Sequence, residues 1–245
     1  MNIPITEQLF LNSKPIDQLS IKNGINIILD EQTNSSLAVK KILKDIEVTV
    51  CAIANHLEKS KSSRLIYAGA GTSGRIGLQD GVELVPTFGW LNNRLEFIIA
   101  GGKRAVFRSI ENAEDDVKKA RQNFNKLKIN NKDVLIGIAA SGNTPFTCEI
   151  LKMGFEVNAL TIAISNNPDG KILDFGSHKL ILNTKQEVIA GSTRLKAGTA
   201  QKICLNIIST MVMTKLGFVK NGMMVNLIPT NEKLKKRKAR IEEIT

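Results

Sequence analysis

The sequence predicts an α/β fold, a mostly parallel sheet flanked by helices on both faces in a three-layer sandwich. Three observations carry this. Short, wholly apolar runs such as Val134-Leu-Ile-Gly-Ile-Ala-Ala140 read as strands covered on both faces. These runs alternate with stretches of helical period. Two of them end in small hydroxylic loops that open into helices, Gly71-Thr72-Ser73-Gly74 and Ser141-Gly142-Asn143-Thr144. Open parallel sheets bind their ligands at such strand ends.

The elements follow in order. Residues 1 to about 35 are polar and weakly periodic, with a turn and helix cap at Asn12-Ser13-Lys14-Pro15-Ile16-Asp17. Ser36 to Lys59 carries Val39, Ile42, Ile46, Val50 and Ile53 on one helical face. Arg64–Ala68 is a short buried strand, Ser73–Glu83 a helix and Leu95–Ala100 a second strand. Ala105–Lys126 reads as one helix that holds Glu111, Glu114, Asp115 and Asp116. Further strands fall at Asp133–Ala140, Leu160–Ser165 and His178–Leu182, and a long helix at Ser192–Leu216. This divides the chain into an N-terminal helical segment, 1–55, a ligand-binding domain, 56–220, and a C-terminal helical tail, 221–245.

Composition narrows the function. The chain has 245 residues, 42% of them hydrophobic, enough for a substantial core. Its formal charge is +11, but aromatics are only 4%, which argues against stacking on single-stranded nucleic acid. The one dense basic run, Lys233-Leu-Lys-Lys-Arg-Lys-Ala-Arg240, reads as a solvated helix. Cys51, Cys148 and Cys204 are far apart among apolar neighbours, and His56 and His178 are isolated. No metal site, disulfide framework or cofactor is indicated. No signal peptide or membrane span is evident, and the chain reads as cytoplasmic.

The first hydroxylic loop is the most informative stretch. A strand feeding a helix N-terminus offers unpaired N–H groups and a favourable dipole to an anion. Glycines let the backbone approach closely, and Thr72 and Ser73 add hydroxyl donors. The loop matches the loose G-x-G-x-x-G pattern. However, the next strand ends in Gly101-Gly102-Lys103-Arg104, not in the acidic residue that a dinucleotide's ribose needs. No Gly-Lys-Ser/Thr triplet of a P-loop follows either. A ligand-free tight turn is the alternative. Ser141, Asn143 and Thr144 form a second cluster, and Ser192 and Thr193 a third. Three clusters suit the several oxygens of a phosphate and a sugar, although any one of them also fits a helix cap.

Together these residues resemble a SIS (sugar isomerase) domain, and more closely the N-acetylmuramic acid 6-phosphate etherase family. The resemblance rests on Gly69-Ala-Gly-Thr-Ser-Gly-Arg-Ile-Gly77, Pro86-Thr-Phe-Gly89, Ala100-Gly-Gly102 and Glu111-Asn-Ala-Glu-Asp115. It continues through Ala139-Ala-Ser-Gly-Asn-Thr-Pro145, Ala163-Ile-Ser-Asn-Asn-Pro168 and Gly191-Ser-Thr-Arg-Leu-Lys-Ala-Gly-Thr-Ala-Gln-Lys202. The opening Thr6-Glu7-Gln8 also fits, so the likeness runs over nearly the whole chain. Two departures stand out. Val82, Leu84 and Val85 replace the family's usual Ser, Cys and Pro around Glu83, and the family's small C-terminal helical domain extends beyond the equivalent of Thr245.

The resemblance implies a SIS-type sandwich and a homodimer with sites near its interface. It also implies cleavage of a lactyl ether to N-acetylglucosamine 6-phosphate and D-lactate by elimination and water addition, without metal or cofactor. Two carboxyl groups would serve as acid and base. By resemblance, Glu83 donates a proton to the lactate oxygen, with its apolar neighbours keeping it protonated. Glu114 takes the C2 proton, and Glu111, three residues away on the expected helix, is the rival. Thr72, Ser73, Ser141, Asn143, Thr144, Ser192 and Thr193 would bind phosphate and sugar, and Arg194 and Lys196 would neutralise anionic groups. A sugar-phosphate-binding regulator without catalysis and an aldose–ketose isomerase are the alternatives on the same fold.

Overall fold

A computed structural model describes residues 3–226. Five strands, β1 (Leu65–Gly69), β2 (Leu95–Ile99), β3 (Val134–Ala139), β4 (Leu160–Ser165) and β5 (His178–Ile181), form one sheet. All pairs are parallel and the order is β2-β1-β3-β4-β5. Every residue of β1 and β3 is buried, as continuous apolar runs require.

Two cores explain the three layers. On one face Leu65, Tyr67, Ile136, Ile138 and Ile164 meet helices α2 (Leu43–Glu58), α3 (Gly71–Phe88) and α7 (Lys196–Lys215). On the other, Ile66, Ala68, Leu135 and Ala163 meet α5 (Val117–Leu127) and α6 (Pro145–Glu156). The alternation along β1 and β3 sends successive side chains to opposite cores.

Four expectations change. The helix expected at Ser36–Lys59 is two helices, and the polar stretch before it is largely helical. Helix α1 runs Ile21–Lys40, capped by Ser20 Oγ, which accepts from the Asn23 N–H at 3.3 Å. Only Gly24, Ser35, Ala38 and Val39 of α1 are buried, so its apolar residues form no inward stripe for a sequence scan to find. The helix expected at Ala105–Lys126 is interrupted: α4 covers only Arg104–Phe107, and α5 starts at Val117. Between them the chain turns, with Asn112 at φ +55° and the Asp116 carboxylate capping α5 through the Lys119 N–H. Helix α7 starts at Lys196, not Ser192. The buried Glu187 carboxylate takes its first N–H groups, those of Lys196 and Ala197, at 3.3 and 2.8 Å. Burial raises the Glu187 pKa above its ordinary value, while these donors pull it down. Finally, β6 (Val219–Lys220) and β7 (Met223–Met224) form an antiparallel hairpin that runs into the helical tail expected from residue 221. The rest of that tail, with its basic run, lies outside the described residues.

Close approach explains the first glycine pair. A Cβ on Gly69 would lie 2.9 Å from Gly74 Cα, and one on Gly74 would lie 2.9 Å from Gly69 O. The end of β1 and the first turn of α3 therefore touch backbone to backbone.

Candidate active site

The strand order reverses direction of growth between β1 and β3, and the crevice there is where such sheets hold ligands. A cavity of about 420 Å³ opens at this point. Its walls include Gly71, Thr72 and Ser73 after β1, Ser141, Asn143 and Thr144 after β3, Thr193 before α7, and Glu114. Three chain segments that sequence separates by some 120 residues thus converge on one pocket, as their hydroxyl content suggested. Ser192 sits in the same loop as Thr193 but does not line the pocket; its N–H donates to Ile189 O at 2.9 Å.

The pocket's attraction for an anion is dipolar. No lysine or arginine lines it. Helices α3 and α6 both begin there, and neither N-cap, Ala70 or Thr144, closes its helix with a side-chain hydrogen bond. At α6, however, Pro145 has no N–H and the Phe146 N–H is already taken by a backbone carbonyl, so it is the α3 start, together with several hydroxyls, that faces this space. Ser141 Oγ accepts from the Asn143 N–H at 3.2 Å, and Asn143 Oδ1 accepts from the Lys171 N–H at 3.1 Å, which fixes the second loop's shape.

Glu114 stands on the turn between α4 and α5, not on a helix. Its carbonyl accepts the Phe146 N–H at 2.9 Å, so the start of α6 clamps its backbone to the pocket. Arg75 holds the other end of this turn, donating to the carbonyls of Ala105, Val106 and Arg108 at 3.0 to 3.3 Å. The shared helical face expected for Glu111 and Glu114 does not exist. Glu111 lines only a neighbouring cavity of about 380 Å³ beside Arg75 and Arg108, while Glu114 lies on the wall between the two cavities. Asp115 also borders the main pocket.

Glu83 is elsewhere. It is exposed on α3, eleven residues beyond Thr72, about 16 Å along the helix axis. It lines none of the cavities described here. The shelter expected from its apolar neighbours is missing because adjacent helical residues point to different faces. Val82 is exposed, whereas Leu84 turns into the core. Arg194 is exposed and outside the pocket. Lys196 is buried, and its ammonium pairs with Glu31 on α1, in a separate cavity lined also by Phe10. Its side chain joins α1 to α7 and does not face the phosphate-type pocket.

Other chemistries find little support in this pocket. Cys148 is half-buried near it, and desolvation pushes its thiol up to about 11, so the thiolate is scarce at neutral pH. His178 opens β5, at the opposite end of the sheet from the strand carboxyl ends. Among the described residues no group of three or more His, Cys, Asp or Glu is placed to hold a metal ion, and no helix is long and apolar enough to cross a membrane. Sequence reasoning gave no role to Pro4 and Glu7, which form one wall of the pocket. They lie far from it in the chain and carry no spacing signal.

Comparison with known proteins agrees with this geometry. Residues 47–155 match the family described as the glucokinase regulatory protein N-terminal SIS domain. The N-acetylmuramic acid 6-phosphate etherase of Pasteurella multocida is 41% identical over 237 residues, 97% of this chain and 78% of that protein. The etherase of Bacillus mycoides is 42% identical over 226 residues, 92% of this chain and 76% of that protein. Among solved structures, a phosphoheptose isomerase from Francisella tularensis superposes with a TM-score of 0.58 at 15% identity, covering 79% of this chain and 98% of that one. The NanR protein of Vibrio vulnificus, complexed with ManNAc-6P, does so with a TM-score of 0.51 at 12% identity, covering 91% and 69%. At these identities the two structures speak for the SIS-type fold alone.

Proposed function

This chain belongs to the N-acetylmuramic acid 6-phosphate etherase family, and we propose that the pocket between β1 and β3 is where it cleaves the lactyl ether. One observation carries the reading: a carboxylate, Glu114, is clamped through its own backbone to α6 beside the α3 start, which has no side-chain cap, and the hydroxyl loops. The α3 start, with Thr72, Ser73, Ser141, Asn143, Thr144 and Thr193, takes the 6-phosphate and nearby sugar oxygens. Ser192 shapes the last of these loops.

The chemistry follows from the bond to be broken. An alkoxide is a poor leaving group, but the C3 ether oxygen lies β to the C1 aldehyde of the open-chain sugar. Glu114 removes the C2 proton, and the electron pair moves into the C1 carbonyl as an enolate. When the carbonyl reforms, the C3–O bond breaks and D-lactate departs, its oxygen protonated by an acid. Water then adds at C3 and a proton returns to C2, giving N-acetylglucosamine 6-phosphate. No redox change occurs. The chain is thus a carbon–oxygen lyase working on a phosphosugar. Its free cysteines suit a reducing cytoplasm, where phosphorylated sugars are held.

We assign the acid to Glu83 acting in the pocket of a second copy. Within one chain it is about 16 Å along α3 from the phosphate loop, so it serves this reaction only across a dimer. An apolar stripe awaiting cover supports pairing. On α1, Ile21, Ile25 and Leu29, spaced by four, are 82%, 60% and 64% exposed. The exposure of Glu83 also favours the second reading, a sugar-phosphate-binding regulator that has lost turnover.

Complementation separates these readings. Glu83→Ala and Glu114→Ala should each be inactive alone. Co-expressed, they should recover about one quarter of wild-type lactate release, because half the dimers are mixed and each mixed dimer holds one intact site. No recovery would place Glu83 in its own chain's site or outside the reaction. Sugar-phosphate binding without lactate from the wild type would leave the regulator.

A further inference from the structure

One wall of the pocket has no part in the mechanism above. It is formed by Pro4 and Glu7, and their short turn Ile5–Glu7 is docked against the loop before α7. Thr6 is fully buried, and its carbonyl accepts the Gly191 N–H at 2.9 Å. Gln8 Oε1 accepts from Gln186 Nε2 at 3.3 Å. Gly191 has φ +74°, and its missing side chain makes room for Glu7: a Cβ there would stand 2.5 Å from Glu7 Oε2. The Glu7 carboxylate therefore lies over the Gly191–Thr193 loop, in the pocket that Thr193, Ser141 and Glu114 share. Among the described residues it makes no ion pair.

An unpaired carboxylate cannot favour the phosphate or the lactyl carboxylate. Glu7 is exposed at the rim, and in a pocket whose α3 start and hydroxyl loops attract the anion it is free to meet the neutral part of the ligand, where a sugar offers hydroxyl donors. A carboxylate accepting from hydroxyls forms charge-assisted bonds, stronger than neutral ones. Resting on the reading of this pocket as a sugar-phosphate site, we propose that Glu7 is a specificity-determining residue that accepts hydrogen bonds from the sugar's hydroxyl groups. It selects the sugar, while the strand-end loops select the phosphate. Thr6 serves only to dock the turn; its hydroxyl has no partner, so what matters is its shape and its carbonyl.

Calorimetric titration of the full chain with N-acetylglucosamine 6-phosphate and, separately, with inorganic phosphate tests this. Glu7→Gln should weaken sugar-phosphate binding by roughly ten-fold or more and leave phosphate affinity unchanged. Thr6→Val should bind both ligands like the wild type, showing that the docked turn persists. Unchanged or tighter sugar-phosphate binding by Glu7→Gln would overturn the assignment. So would equal weakening of both ligands, because Glu7 would then only prop the loop. Because binding is read, the result stands even if no lactate is released. Lactate failure with this binding pattern intact would remove the etherase reading alone, whereas a wild type that binds no sugar phosphate would remove both.

Discussion

Glu114→Gln is expected to lower lactate release by about 10²- to 10⁴-fold while leaving product affinity within a few-fold of wild type. The change keeps size and shape but removes the ability to accept the C2 proton. It does not disturb the turn, because the clamp to α6 is the backbone bond from the Phe146 N–H to the Glu114 carbonyl. Glu111 cannot substitute, since it faces the neighbouring cavity beside Arg75 and Arg108. Asp115 and Glu7 border the same pocket and are the carboxylates from which the geometry allows residual turnover. Two readings check the assignment together. A coupled assay gives the rate, and incubation in deuterated water reports C2 exchange, which should fall with it. Near-normal turnover in Glu114→Gln, or exchange that persists while lactate stops, would move the base to another group.

Asp80→Ala is expected to destabilise the fold by about 3 kcal/mol. Asp80 is 6% exposed on α3 and acts as the acceptor at the junction of β1, α3 and α7. Its Oδ2 accepts from the Tyr67 hydroxyl at 2.8 Å, and its Oδ1 from Asn206 Nδ2 at 2.7 Å and the Ser209 hydroxyl at 3.0 Å. Alanine would strand the Tyr67 hydroxyl in the interior, whereas the Ser209 hydroxyl keeps the Asn206 carbonyl at 3.4 Å and the exposed Asn206 side chain turns to water. The same network pushes the Tyr67 hydroxyl pKa upward, through burial first and the neighbouring Asp80 charge second. Urea unfolding measures the loss. Tyr67→Phe, which leaves Asp80 two donors, should cost less than half as much. Because Asp80 lies one turn before Glu83, activity should also fall at temperatures where the variant is still folded. A loss under about 1 kcal/mol would mean that water replaces Asp80 in this network.

The sheet was legible because parallel strands covered on both faces leave unbroken apolar runs, and the strands at 65–69, 134–139 and 160–165 are of that kind. The strand ends were legible too, since glycine and hydroxyl residues mark them, and the pocket gathers six of the seven binding candidates. Helix α1 left no such mark. Its buried positions are small or polar, so its inward face has no apolar period to detect. The break before α5 was missed because Glu111, Glu114, Asp115 and Asp116 suit a helical surface as well as a capped turn, and only the bond to Phe146 decides between them. Lys196 was misread by its nearness in sequence to Thr193; its partner Glu31 is 165 residues away. Glu7 stood in the Thr6-Glu7-Gln8 stretch of the resemblance, but nothing local showed its place in the pocket, which depends on a gap left by Gly191. Period and turn chemistry report local structure, and these four placements are set by contacts between distant segments.

Cleavage of the C3–O bond by elimination is the reaction proposed for this chain's pocket. Its most direct test is incubation of the purified protein with N-acetylmuramic acid 6-phosphate in water enriched in oxygen-18. Elimination predicts D-lactate free of label and label at C3 of the amino sugar product, distinct from any label that the open-chain aldehyde takes up at C1 by exchange. Label in the lactate would mean cleavage on the other side of the ether oxygen. Sugar-phosphate binding with no lactate at all would mean that the fold keeps its ligand and lacks the chemistry.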